Sequence, residues 1–468
     1  MKTTLNAQEL ETLAKPLNAA LEPFMQRFPG SAGERQPVHT VYGGAHLFKR
    51  DTTRKLGEKA VSILDEHGRD PFTFARAIGL EDSRAEKVWQ RVVEKLAAEP
   101  VEDFRIDFED GYGNRPDEEE DRQAETVARE LAAGMREGTL PPFIGIRIKP
   151  FTQELMRRGL RTMDIVLSTL IAEMGVTLPS NFVVTLPKIQ LPEQVTLLAD
   201  VFDAMEPRLG LAPNTLRLEF MIETTQSILS ANGSSNLPLF LDAARGRAVA
   251  AHFGTYDYTA SCNITAAEQR MDHPACDFAR HMMQVAYSGT GLWLSDGATN
   301  ILPIGDRDTI HRAWRLHVDH VRHSLVHAYY QGWDLHPAQL PTRYAAVYAF
   351  FLEGAAAATE RLRNFMEKAG QATLVGDVFD DAATGQGLLN YFLRGMNSGA
   401  LTEEEALSGR GVVEDVADER RLSRLGHEVL EALRRGGEAF EEERVHRGVA
   451  RRQLRGVQVP SLVVGVDE

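Results

Sequence analysis

Short apolar runs recur along the chain between longer stretches in which apolar residues return every three or four positions. The runs predict eight strands, at residues 38–48, 104–109, 143–148, 182–186, 216–222, 248–254, 291–295 and 333–336. Several are almost continuously apolar, as strands covered on both faces must be. The intervening stretches predict helices at residues 55–67 and 84–98, then 118–137, 163–173, 191–205 and 310–330. Strands alternating with helices imply a parallel sheet, and eight strands favour closure into a TIM (β/α)8 barrel. An open doubly wound sheet is the alternative. No glycine-rich turn follows a strand, which counts against it.

Residues 1–35 are predicted to be a helical segment ending at Pro29-Gly30-Ser31, and 36–343 the barrel. From residue 344 onward strand signals fade. Residues 344–369 and 417–452 have helical periodicity and 377–399 reads as loop and helix, so 344–468 is expected to be an all-helical C-terminal extension.

Composition narrows the functional classes. The 468 residues are 43% hydrophobic with a formal net charge of -15. Nucleic acid and anionic membrane need clustered Lys and Arg, so neither is expected as a partner. No run approaches the roughly 18 apolar residues of a membrane span. No secretory leader is visible at the start. Cys262 and Cys276 are too few for a disulfide framework and lack metal-ligand spacing. A reduced, cytoplasmic enzyme of small molecules is expected.

In such a barrel the chemistry lies at the C-terminal ends of strands. The second strand ends Asp107-Phe108-Glu109-Asp110, three carboxylates in four residues. Such a group needs a cation or water to receive it, whereas an ordinary acidic loop would be solvated. The third ends Arg147-Ile148-Lys149, and strand alternation puts Arg147 and Lys149 on the same face, into the mouth or out against the helices; an arginine in the mouth suits an oxyanion or carboxylate, and otherwise it is an ion pair to the acidic loop. The fourth ends in Lys188, an anion binder or a surface charge. Glu223 and Asp257 follow the fifth and sixth strands, and two hard oxygen ligands with room for water match the way magnesium is held. His336, after the eighth strand, reads as a satisfied core histidine. His317, His320, His323 and His327 have helical spacing. With no Cys or carboxylate evident to complete a zinc set, they are read as a solvated face.

Taken in order, these strand ends resemble the citrate lyase β-subunit family, within the wider group of malyl-CoA lyases, malate synthases and HpcH/HpaI-type aldolases. The family's Asp-Leu-Glu-Asp is matched by Asp107-Phe108-Glu109-Asp110, and its Val-Arg-Ile-Asn by Ile146-Arg147-Ile148-Lys149. Its Leu-Pro-Lys is Leu186-Pro187-Lys188 and its Ile-Glu-Thr is Ile222-Glu223-Thr224. Its Gly-x-x-Asp is Gly254-Thr255-Tyr256-Asp257, and its Ile-His-Pro-x-Gln is Leu335-His336-Pro337-Ala338-Gln339. The match runs from about Val38 to Gln339. Lys149 departs from the usual Asn, residues 49–103 make a long first connection, and Tyr256-Asp257-Tyr258 is closer to the Trp-Asp-Tyr of malate synthases.

The resemblance implies a Mg2+-dependent carbon–carbon lyase or aldolase, a homo-oligomer acting on a 2-oxo or 2-hydroxy carboxylic acid or its CoA thioester. It implies Glu223 and Asp257 as metal ligands and Arg147 as the group facing the developing enolate. Asp107, Glu109 and Asp110 would order water and orient Arg147, and Lys188 would meet substrate charge. In malate synthases an aspartate from a C-terminal helical region is the base, so Asp377, Asp380 or Asp381 is the counterpart here. Asp at that point also suits a helix N-cap. A thioester hydrolase, a phosphoenolpyruvate-type phosphotransfer enzyme and a non-catalytic subunit of a lyase complex are the alternatives.

Overall fold

The computed structural model describes residues 3–30, 34–367, 373–375, 378–380, 382–402 and 405–406. The chain divides into two units, one of Met1–Phe351 with Asn397–Ala400, the other of Leu352–Met396 with Leu401–Glu468.

In the first unit, helix α1 (Ala7–Arg27) precedes strand β1 (His39–Gly44), which leads to α2 (Thr52–Ile63), α3 (Pro71–Ile78) and α4 (Asp82–Ala98). Then follow β2 (Asp103–Asp107), α5 (Asp117–Glu137), β3 (Phe143–Arg147), α6 (Met156–Met174), β4 (Phe182–Leu186) and α7 (Pro192–Leu209). Strand β5 (Arg217–Ile222) is followed by α8 (Thr225–Ile228) and α9 (Leu237–Ala243), and β6 (Ala248–Phe253) by α10 (Thr255–Ser261) and α11 (Pro274–Tyr287). Last come β7 (Trp293–Ala298), α12 (Arg307–Val326), β8 (Gln331–Asp334) and α13 (Leu340–Glu367), whose residues fall in both units. All eight strands pair in parallel with their sequence neighbours, and β8 returns to β1 with His39 opposite Gly332, closing the barrel.

The boundaries follow local chemistry. Asp70 caps α3 by accepting from the Phe72 and Thr73 amides, with Pro71 opening the first turn, and Asp306 caps α12 through the Thr309 amide. Strand β1 stops at Gly44, not at residue 48 as the apolar run predicts. A Cβ on Gly44 would stand 2.2 Å from the Gly111 carbonyl, so the chain turns where the acidic loop crosses it. Helices α3, α8, α9, α10 and α11 carry no separate sequence expectation. Most are short and interrupted by Pro or polar residues, which hides their period.

Inside the barrel the alternation of β2 turns Asp103, Arg105 and Asp107 to one side, in successive layers toward the mouth. Arg105 is fully enclosed. It donates to Glu219 (Nε to Oε2, 2.8 Å) and pairs with Asp103, while Thr185 donates to Glu219 at 2.8 Å and Thr40 to Asp103 at 2.7 Å. Burial pushes the Glu219 carboxyl up, but Arg105 and His252 outweigh it and hold it well below its ordinary range. Removing one member of such a buried set strands the other charge, so the set must be complete to be tolerated. One cavity of about 440 Å3 lies at this N-terminal end, lined by Arg217, Phe143 and Trp293, away from the carboxylates at the C-terminal strand ends.

Within the extension expected to be all helical, β9 (Thr373–Val375) and β10 (Val378–Asp380) of the second unit instead pair antiparallel, and α14 (Ala382–Asn397) follows, its last residue falling in the first unit. The helix expected at 417–452 lies outside the described residues. No helix among the described residues is long and apolar enough to cross a membrane.

Candidate active site

The C-terminal strand ends bring Asp107, Glu109, Asp110, Arg147, Lys188, Glu223 and Asp257 together. Strand β2 delivers Asp107, and β3 delivers Arg147 opposite it in register. The Arg147 guanidinium grips Asp107 with two parallel bonds, Nε to Oδ1 at 2.8 Å and Nη2 to Oδ2 at 2.5 Å. Its Nη1 is 3.2 Å from Glu109 Oε2. Asp107 also accepts from the Glu109 amide (2.8 Å) and the Gly111 amide (2.7 Å). Burial pushes the Asp107 carboxyl up, but Arg147 and these amides outweigh it and hold it below its ordinary value.

Beyond β4 the backbone of Lys188 adopts φ 51°, the left-handed region that side chains rarely occupy. This aims its amide at Glu223 Oε1 (2.7 Å) and its ammonium at Glu109 (2.7 Å), Asp110 (3.2 Å) and Asp257 (3.5 Å). Backbone strain of this sort persists where surrounding contacts over-determine it, often at functional sites. Glu223 is 1% exposed. Burial, then Glu109, push its carboxyl up, and despite Lys188 it reaches about 8. Glu109 is raised as well, chiefly by burial, and its Oε2 has no hydrogen bond in the described structure.

Five carboxylates therefore surround two cations, Arg147 and Lys188. The donor chemistry fits a hard divalent cation. Glu223 and Asp257 stand at adjacent strand ends with surplus negative charge beside them, and protein carboxylates plus water are how magnesium is held. Glycine shapes the cradle: a Cβ on Gly254 would lie 2.5 Å from both Cβ and Oε2 of Glu223. Among the described residues, the group of three possible ligand atoms within 4.8 Å of one another lies elsewhere, at Asp277, His323 and His327.

Some sequence expectations are revised. Lys149 turns away from the mouth and props the acidic loop, with Nζ 2.8 Å from the Phe108 carbonyl and 3.2 Å from Glu120. His336 is half-buried and accepts from the Ala338 amide at 3.2 Å, capping a turn. The helical histidines are not a solvated face. His317 is fully buried against Asp334 (3.0 Å) and Thr342 (2.7 Å), and His320 bonds Thr299 at 2.9 Å. Asp380 ends β10 in the second unit, and Asp377 and Asp381 lie outside the described residues. Tyr42 was not singled out by the sequence. Its ring lies 5.0 Å from the Arg147 guanidinium, and only the inward alternation of β1 hints at it.

The model of a domain of unknown function, DUF6986, matches residues 17–425. No curated protein sequence matches significantly. Among solved structures, a citrate lyase from Burkholderia xenovorans is similar at 19% identity and TM-score 0.54, over 80% of this chain and 97% of that one. A malate synthase from Haloferax volcanii, solved with magnesium and glyoxylate, is 15% identical at TM-score 0.45, over 67% of this chain and 76% of that one. The protein CitE from Mycobacterium tuberculosis, in complex with magnesium and acetate, is 16% identical at TM-score 0.38, over 68% and 92%. The first likeness shows a shared barrel fold.

Proposed function

This chain belongs to the DUF6986 family, and from the chemistry of its barrel mouth we propose that it is a Mg2+-dependent carbon–carbon lyase or aldolase. Its substrate class is a 2-oxo or 2-hydroxy carboxylic acid or the CoA thioester of one. The observation that carries the reading is the ring of carboxylates around Arg147 and Lys188 at the strand ends, with Glu223 enclosed among them.

Glu223 and Asp257 would hold the ion, which when bound supplies a Lewis acid for the oxygen next to the bond that breaks. The remaining steps belong to the chain. Arg147, fixed by Asp107 and by the face of Tyr42, presents guanidinium N–H groups where enolate charge develops, in a position set before substrate arrives. Lys188 exchanges part of its contact with Glu109 and Asp110 for the substrate carboxylate. Glu109 keeps that ammonium over the mouth. The first turn of α10 sets Asp257 beside it.

Proton NMR in D2O tests the reading. With Mg2+ present, the protein should exchange the C–H hydrogens next to the carbonyl of pyruvate, oxaloacetate or acetyl-CoA, and Arg147→Ala should not. Cleavage of the thioester with no such exchange would replace the reading with a hydrolase. Neither exchange nor cleavage for any of the three would sink it.

A further inference from the structure

Outside the barrel mouth, helices α11 and α12 present a second set of ligand-type side chains. Asp277 and His281 are four residues apart on α11, and His323 in the last turn of α12 is four residues before its C-cap, His327, so each pair lies on one side of its helix. The two faces meet. His323 Nε2 lies 2.8 Å from Asp277 Oδ1, the His323 and His327 rings are 4.4 Å apart, and His281 and His327 are 5.7 Å apart. One candidate ligand atom from each of Asp277, His323 and His327 falls within 4.8 Å of the other two, and all three residues are half-buried.

The tautomer of His327 is fixed. Its Nδ1 lies 2.8 Å from the His323 carbonyl, so Nδ1 carries the proton and Nε2 presents its lone pair. A backbone carbonyl holding the far nitrogen is the usual outer support of a metal-ligating imidazole. Arg280 is the group that would oppose a cation here. Its Nη1 is spent on both oxygens of Asp296 at 2.9 Å, and its Nη2 reaches the Met271 carbonyl at 2.9 Å. Its charge is thus balanced inside the protein. Nη2 also touches Asp277 Oδ1 and stands 3.2 Å from His323 Nε2, which fixes the carboxylate beside the two imidazoles.

We propose that Asp277, His323 and His327 form a binding site for a zinc-class divalent ion, with His281 or water in the fourth position. Two imidazoles and one carboxylate select a borderline ion such as Zn2+ over Mg2+, which takes oxygen ligands. The ion clips α11 to α12. The clip reaches the barrel wall, because Asp296 of β7 holds Arg280 and accepts from Ser324 Oγ at 2.6 Å. The site is independent of the lyase reading of the mouth.

The test uses the full chain without an affinity tag, stripped with chelator. Zn2+ is titrated against a chromogenic chelator, and Co2+ serves as a visible-absorption probe of a four-coordinate site. Wild type should bind Zn2+ here with affinity at least about tenfold above that of His327→Gln. Asp257→Asn, at the mouth, should retain that affinity. Zn2+ should raise the melting temperature of wild type and not of His327→Gln, whose half-buried position leaves the fold intact. His281→Ala serves as a second, exposed variant and should alter the Co2+ spectrum or weaken binding where it supplies the fourth ligand. Equal Zn2+ affinity and equal thermal response in wild type and His327→Gln would overturn the proposal, as would Zn2+ binding lost only in Asp257→Asn.

Discussion

Replacing Glu223 with glutamine isolates the charge imbalance at the barrel mouth. Burial, then Glu109, drive its carboxyl from an ordinary 4.5 to about 8. Between those values an unfolded chain has lost the proton and the folded one keeps it. The native state then binds more protons, and its stability must fall as pH rises from about 4.5 to about 8. At 1.36 kcal/mol per pH unit the loss is roughly 5 kcal/mol. That figure is a ceiling, because water and cations reach the mouth. Glutamine keeps the shape, and its carbonyl still accepts the Lys188 amide, but it does not titrate. Urea unfolding of both proteins at pH 5 and pH 8.5, with chelator present, reads the difference. The variant should gain about 3–5 kcal/mol on wild type between the two pH values. Saturating Mg2+ should narrow the gap by stabilising the wild-type carboxylate. One shared pH profile for the two proteins would refute the reasoning.

Arg147→Ala removes the two-bond grip on Asp107 and leaves that buried carboxylate without its cation. It should lower kcat by about 10²–10³ in the exchange assay and unfolding stability by about 3–5 kcal/mol in urea. Arg147→Lys should restore little activity, because a point charge cannot reproduce the planar fork. Gly254→Ala sets a Cβ 2.5 Å from Glu223. The fold should survive, and calorimetric Mg2+ affinity should drop at least about tenfold, as is common when the support of a ligand is disturbed. Glu219→Gln leaves Arg105 with Asp103 alone in the barrel interior. Scanning calorimetry should show melting lowered by roughly 5 °C, with Mg2+ binding unchanged.

The barrel was legible because strands such as β3 and β4 are nearly all apolar and buried along their whole length. Continuous apolar runs announce such strands, and chain order then dictates parallel neighbours. The carboxylates were legible as strand-end residues, since the topology puts every C-terminal strand end on one face. Contacts that depend on long-range geometry were not legible. Lys149 sits two residues from Arg147, yet the chain leaves β3 between them and the lysine turns to Glu120. Asp277 lies 46 residues before His323, and no local spacing relates them. The histidines of α12 read as solvated because helical period alone cannot show that α11 and β8 cover them. Arg105 and Glu219 were invisible for a similar reason: a charge inside a strand is interpretable only with its cross-barrel partner in view.

The most direct test of the lyase account is isothermal titration with Mg2+, followed by oxaloacetate in its presence, on wild type and Asp257→Ala. The account predicts that wild type binds the 2-oxo acid only after Mg2+ and that the variant loses both heats. Equal weak binding of Mg2+ by the two proteins, or acid binding that ignores the metal, would contradict it.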